Sequence, residues 1–123
     1  MANNYEFFPQ EDTARLTGTS KQGSITATFA QLEELLGVPA FEGKGDNVTT
    51  EFVVDWSDVD GDEFGTFSLY DWSYCRNFAN DYEEIVWNIG GTNYNDVMAV
   101  DVLMEKIVRP KMHFESRSLV SER

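Results

Sequence analysis

Between two Asp-Trp pairs, Asp55-Trp56 and Asp71-Trp72, the chain carries Asp58, Asp60, Asp62 and Glu63. Carboxylates this dense suggest three chemistries: a calcium loop, a catalytic acid pair, or the solvated tip of a hairpin. An EF-hand loop needs oxygen ligands at positions 1, 3 and 5, glycine at 6 and a bidentate glutamate at 12. Starting at Asp58 puts Glu63 at position 6 and Leu69 at position 12, while starting at Asp60 puts Phe64 at position 5. Neither register satisfies the loop. An acid pair for glycoside or phosphoester hydrolysis needs one carboxyl with a raised pKa in an apolar pocket. Asp55 and Asp71 are the candidates, but period-two alternation predicts that both point outward while Trp56 and Trp72 face in. The hairpin reading is preferred, with Asp60-Gly61 as its turn.

Other catalytic equipment is sparse. Ile89-Gly90-Gly91-Thr92-Asn93 precedes a helical pattern, but it lacks the lysine of a phosphate loop, and Asp96 would repel an anion there. These glycines read as turn residues. Cys75 and His113 are the single cysteine and histidine, far apart in sequence, and together do not make a usual zinc site. No catalytic residue, metal or cofactor is therefore expected. What remains is aromatic residues among acids, above all in Ser73–Glu84, where Tyr74, Asp81, Tyr82, Glu83 and Glu84 form a mixed patch. Such a patch suits cationic partners through ion pairs and cation–π contacts.

Several elements must position these residues. Ser24–Thr28 alternates and is β-branched, as in a strand. Thr28 and Gln31 have capping-box spacing, and Phe29, Leu32, Leu35 and Leu36 share a helical face opposite Glu33 and Glu34. Gly37 and Pro39 end that helix. Val48, Thr50, Phe52, Val54 and Trp56 line one side of a strand, Phe64–Trp72 forms the next, and Ile85, Trp87 and Ile89 line a third. Thr92 or Asn93 then caps a helix whose buried stripe is Val97, Val100, Leu103, Met104 and Ile107, with Pro110 near its end. The expected fold is α+β: a β-α-β-β-β-α domain over 23–107 whose two helices pack on one face of an antiparallel sheet. Arms of residues 1–22 and 108–123 flank it, either docked on their own domain or reaching a neighbouring subunit. Met112 and Phe114 alternate with polar neighbours like an added edge strand.

Charge narrows the partners. The net charge of −13 divides into −1 for residues 1–22, −14 for 23–107 and +2 for 108–123. A centre this acidic repels nucleic acid and anionic membranes and attracts basic surfaces. One cysteine and the absence of a signal-like N-terminal segment fit a cytoplasmic protein.

The capped helix ending in Gly37-x-Pro39, the acidic hairpin closing on Tyr70-Asp71-Trp72, and Trp87-Asn88-Ile89-Gly90-Gly91 before a last helix form one pattern over about residues 25–107. It resembles small acidic proteins encoded by tailed bacteriophages. That resemblance implies an inhibitor of host defence, of the anti-CRISPR or anti-restriction kind, acting in the host cytoplasm. The expected function is a non-enzymatic module that occupies a basic protein surface with Asp58, Asp60, Asp62, Glu63, Tyr74, Asp81, Tyr82, Glu83 and Glu84. The alternative is an oligomeric assembly or virion protein joined through its arms.

Overall fold

The computed structural model describes residues 5–11, 19–43, 48–72 and 76–121, with side chains described as far as Ile107. Its elements are β1 (Tyr5–Gln10), β2 (Ser20–Thr28), α1 (Phe29–Leu36), β3 (Phe41–Glu42), β4 (Thr50–Asp58), β5 (Phe64–Tyr70), β6 (Glu84–Gly91) and α2 (Tyr94–Ser121). The fold is α+β, and its central run β2-α1-β4-β5-β6-α2 is the expected order. The strands form one antiparallel sheet in the order β1-β4-β5-β6-β2, with β3 also paired to β4.

Strand alternation divides the sheet into two faces. Phe52, Val54 and Trp56 of β4, Phe67 and Leu69 of β5, Trp87 and Ile89 of β6, and Ala27 of β2 point to one side. There they join Phe29, Leu32 and Leu36 of α1 and Ala99, Val100 and Leu103 of α2 in a single core, so both helices cover the same face. α1 begins as its sequence demands. The Thr28 hydroxyl accepts from the Gln31 N–H, and the Gln31 side chain accepts from the Thr28 N–H, each at 3.0 Å. Gly37 ends the helix at φ +78°, where a side chain would be strained, and its N–H donates to the Glu33 carbonyl.

At the flanks one open alternative is resolved and two expectations change. Tyr5–Gln10, assigned to an arm, is an edge strand of the protein's own sheet, and Tyr5 and Phe7 pack against the core. Pro9 sits comfortably there because an edge strand has backbone groups outside the ladder. α2 continues past Pro110 to Ser121, so Met112 and Phe114 belong to a helix and not to an added strand. A proline forfeits its own hydrogen bond to the carbonyl four residues earlier, but it does not prevent the helix from resuming. No helix of the described residues is long and apolar enough to cross a membrane.

The face away from the helices carries Glu51, Tyr70 and Asn88 as cross-strand neighbours on β4, β5 and β6. Burial pushes the Glu51 carboxyl above its usual range; the nearby Asp71 charge adds to this and a hydrogen bond with Ser68 opposes it. The folded state thus binds the Glu51 proton more tightly than the unfolded chain does. Its contribution to stability is complete below the unfolded-state pKa of 4.5 and is lost as pH rises through the higher folded value. Glu51→Gln is expected to raise the thermal midpoint at pH 7 and to leave it unchanged near pH 4, as read by circular dichroism at both values.

Candidate functional site: an acidic and aromatic end of the sheet

Register separates the acidic residues into two groups. Asp58 ends β4, and Asp60, Asp62 and Glu63 lie exposed in the tight connection to β5. The turn closes through Asp58 N–H to the Glu63 carbonyl at 2.9 Å and Gly61 N–H to the Asp58 carbonyl at 3.1 Å, with Gly61 at φ +75°. Asp81, Tyr82, Glu83 and Glu84 belong to the opposite end, since Glu84 opens β6 and pairs with Thr28 at the start of α1. The nine-residue β4 sets these groups about 30 Å apart. They are two separate acidic groups at opposite ends of the sheet. Tyr74 and Cys75 lie outside the described residues.

The α1 end is the richer of the two, and much of it is organised around Asp71. Phe67 and Leu69 are the inward residues of β5, so the same alternation carried two residues further puts Asp71 inward and Trp72 outward, the opposite phase to the expected one. Asp71 is instead fully buried, and Trp72 is half-exposed at 49%. One Asp71 oxygen accepts from the N–H groups of Thr49 at 2.8 Å and Thr50 at 3.1 Å. The other accepts from the Arg76 N–H at 2.9 Å and from the Thr49 hydroxyl. The carboxylate therefore ties the start of β4 to the chain leaving β5. Asp55 does stay on the face away from the helices, where Thr66 donates to it at 2.8 Å. Asp55 and Asp71 consequently do not converge on a shared pocket.

That anchorage fixes Arg76, whose side chain is only 7% exposed. Its guanidinium carbon lies 3.5 Å from the ring centre of Phe29 and 4.1 Å from that of Phe78. Nη1 is 3.0 Å from Glu42 and Nη2 is 3.7 Å from Asp81. Two aromatic faces and two carboxylates thus surround one cation, stabilising it by both cation–π attraction and ion pairing, while its Nε is buried without a hydrogen-bond partner. The Asp81 carbonyl also accepts from the Ala30 N–H at 3.0 Å, fastening the 81–84 segment to the first turn of α1.

Beside this clamp runs a groove of about 680 Å³ lined by Thr28, Gln31, Glu33, Glu34, Tyr82 and Glu84. Tyr82 is 80% exposed, with Phe78 and Trp72 also half out of the surface at this end. Glu33, Glu34, Glu83 and Glu84 are exposed, and among the described residues none of them meets a cation within ion-pair distance. No protein-family model, curated protein or solved structure matches the chain. The site is therefore characterised by its own geometry.

Part of this end escaped sequence reasoning. Tyr82, Glu83 and Glu84 were marked by their types alone. The contribution of Glu33 and Glu34 was not, because a helix's solvent face looks the same whether or not a groove lies beside it. Arg76 is one of three bases among the central acids, and its type alone marks no site. Nothing local to its sequence signals the Phe29 and Phe78 rings on either side.

Proposed function

We propose that the protein is a non-enzymatic binding module that occupies a basic, nucleic-acid-binding surface of a partner protein. The observation that carries this reading is that, among the described residues, the exposed acids at both ends of the sheet meet no cation within ion-pair distance. Of the bases in residues 23–107, Arg76 is buried and committed to Glu42 and Asp81. Asp60, Asp62 and Glu63 at one end and Glu33, Glu34, Glu83 and Glu84 at the other remain exposed. Two acidic groups about 30 Å apart suit an elongated cationic channel better than a single basic spot.

Exposed ion pairs contribute only about 0–1 kcal/mol each, so charge supplies orientation and encounter rate more than affinity. The exposed rings of Trp72, Phe78 and Tyr82 supply the apolar contact area that binding also needs. The resemblance to small tailed-phage proteins supports a host defence nuclease as the partner. The test is capture of partners from a bacterial lysate at low salt, followed by competition with nucleic acid for the purified partner. The expected result is displacement of nucleic acid by this protein; a partner that binds both at once would refute the reading.

A further inference from the structure

A groove lies between α1 and the 81–84 segment. We propose that it receives an arginine side chain presented by the protein partner, an inference that rests on the cationic-surface reading above and names its point of attachment. Three observations converge on a guanidinium. First, the lining carries Glu33, Glu34 and Glu84 and no cationic side chain, so charge complementarity requires a positive occupant. Second, two of the N–H donors at the helix start that would otherwise attract an anion are already engaged. Ala30 donates to the Asp81 carbonyl and Gln31 to the Thr28 hydroxyl. Third, the Tyr82 ring stands exposed in the groove, a flat surface beside carboxylates.

A planar guanidinium can stack on such a ring while its edge donates to the glutamates, whereas an ammonium offers no planar face for stacking. The molecule already uses this chemistry internally, holding Arg76 between Phe29 and Phe78 beside Glu42. The groove offers an incoming residue an aromatic face and acids of the same kind.

The test is calorimetric titration of the full chain with an oligoarginine and an oligolysine of equal length, at low and moderate salt. The arginine peptide is expected to bind roughly threefold more tightly or better, the size of an exposed cation–π contact. Tyr82→Ala should abolish most of that preference, weakening arginine binding more than lysine binding. Asp60→Asn with Asp62→Asn, at the far end, should weaken both peptides equally. Equal binding of the two peptides, or a preference that survives Tyr82→Ala, would overturn the groove assignment while leaving the electrostatic reading intact. Failure of both peptides to bind at low salt would overturn both. If Tyr82 ring resonances shift on concentrating the protein without peptide, and Glu84→Gln abolishes the shift, a second copy is the occupant and the proposal fails.

Discussion

Asp71→Ala should destabilise the protein by about 3–5 kcal/mol, because it removes one buried acceptor from several backbone N–H groups at once. The substitution leaves the N–H groups of Thr49, Thr50 and Arg76 without their acceptor, Thr50 in a buried position and the other two part-buried. Each unsatisfied buried donor costs about 1–3 kcal/mol, reduced where the chain can relax toward solvent. Domains of this size have a total stability of about 5–15 kcal/mol, so the variant should be marginal. Asp71→Asn keeps one acceptor oxygen and the volume, and should lose less. Urea unfolding followed by tryptophan fluorescence measures both losses. If Asp71→Ala unfolds at the wild-type midpoint, this carboxylate does not anchor the α1 end.

The second large effect lies at the other end of the sheet. Asp96, only 1% exposed, accepts from the Trp56 indole N–H at 2.7 Å and the Thr92 N–H at 2.8 Å. It thereby joins β4 to the start of α2. Asp96→Ala is expected to cost about 2–4 kcal/mol, combining a buried charge-assisted bond with a lost helix-start interaction. The site exists only because glycine stands opposite it. A Cβ on Gly65 would come within 2.5 Å of an Asp96 oxygen and 2.9 Å of the Trp56 indole nitrogen. Gly65→Ala should therefore cost about 1–3 kcal/mol through overpacking. When Asp96 is already alanine, the space it vacates should relieve much of that clash. The double variant is thus expected to be more stable than the summed single losses predict. Strict additivity in urea midpoints would contradict the close packing at this junction.

These two carboxylates mark what local sequence could and could not convey. α1 was legible because Thr28, Gln31 and Gly37 specify its start and stop within a few residues. β4 and β5 were legible because alternation and Asp60-Gly61 agree on a hairpin. Asp71 was misplaced because the bulk of Trp72 suggested an inward indole, whereas Phe67 and Leu69 set the inward phase of β5 and Asp71 shares it. Gly90 and Gly91 read as turn glycines, yet both lie within β6. Gly91 approaches Asp96, where a Cβ would meet its side chain at 2.8 Å. The Trp56–Asp96 bond spans 40 residues and the Asp71–Thr49 bonds span 22, distances over which no local pattern operates. At the candidate site, the types of Tyr82, Glu83 and Glu84 were visible, while their separation from the hairpin acids required the strand register.

That separation also shapes the binding reading. A single acidic patch would engage any compact basic surface, whereas two groups at opposite ends select for an extended one. The α1 end adds exposed aromatic rings and a groove, and so should contribute more to the lifetime of a complex. The hairpin end presents mainly charge and should contribute more to the rate of encounter.

The most direct test of the central claim is the association rate with the captured partner, measured by stopped flow from low to high ionic strength. The rate is expected to fall steeply with added salt, and less steeply for Asp60→Asn with Asp62→Asn. An association rate that stays level across that range, with the neutralised variant indistinguishable from the parent, would contradict it.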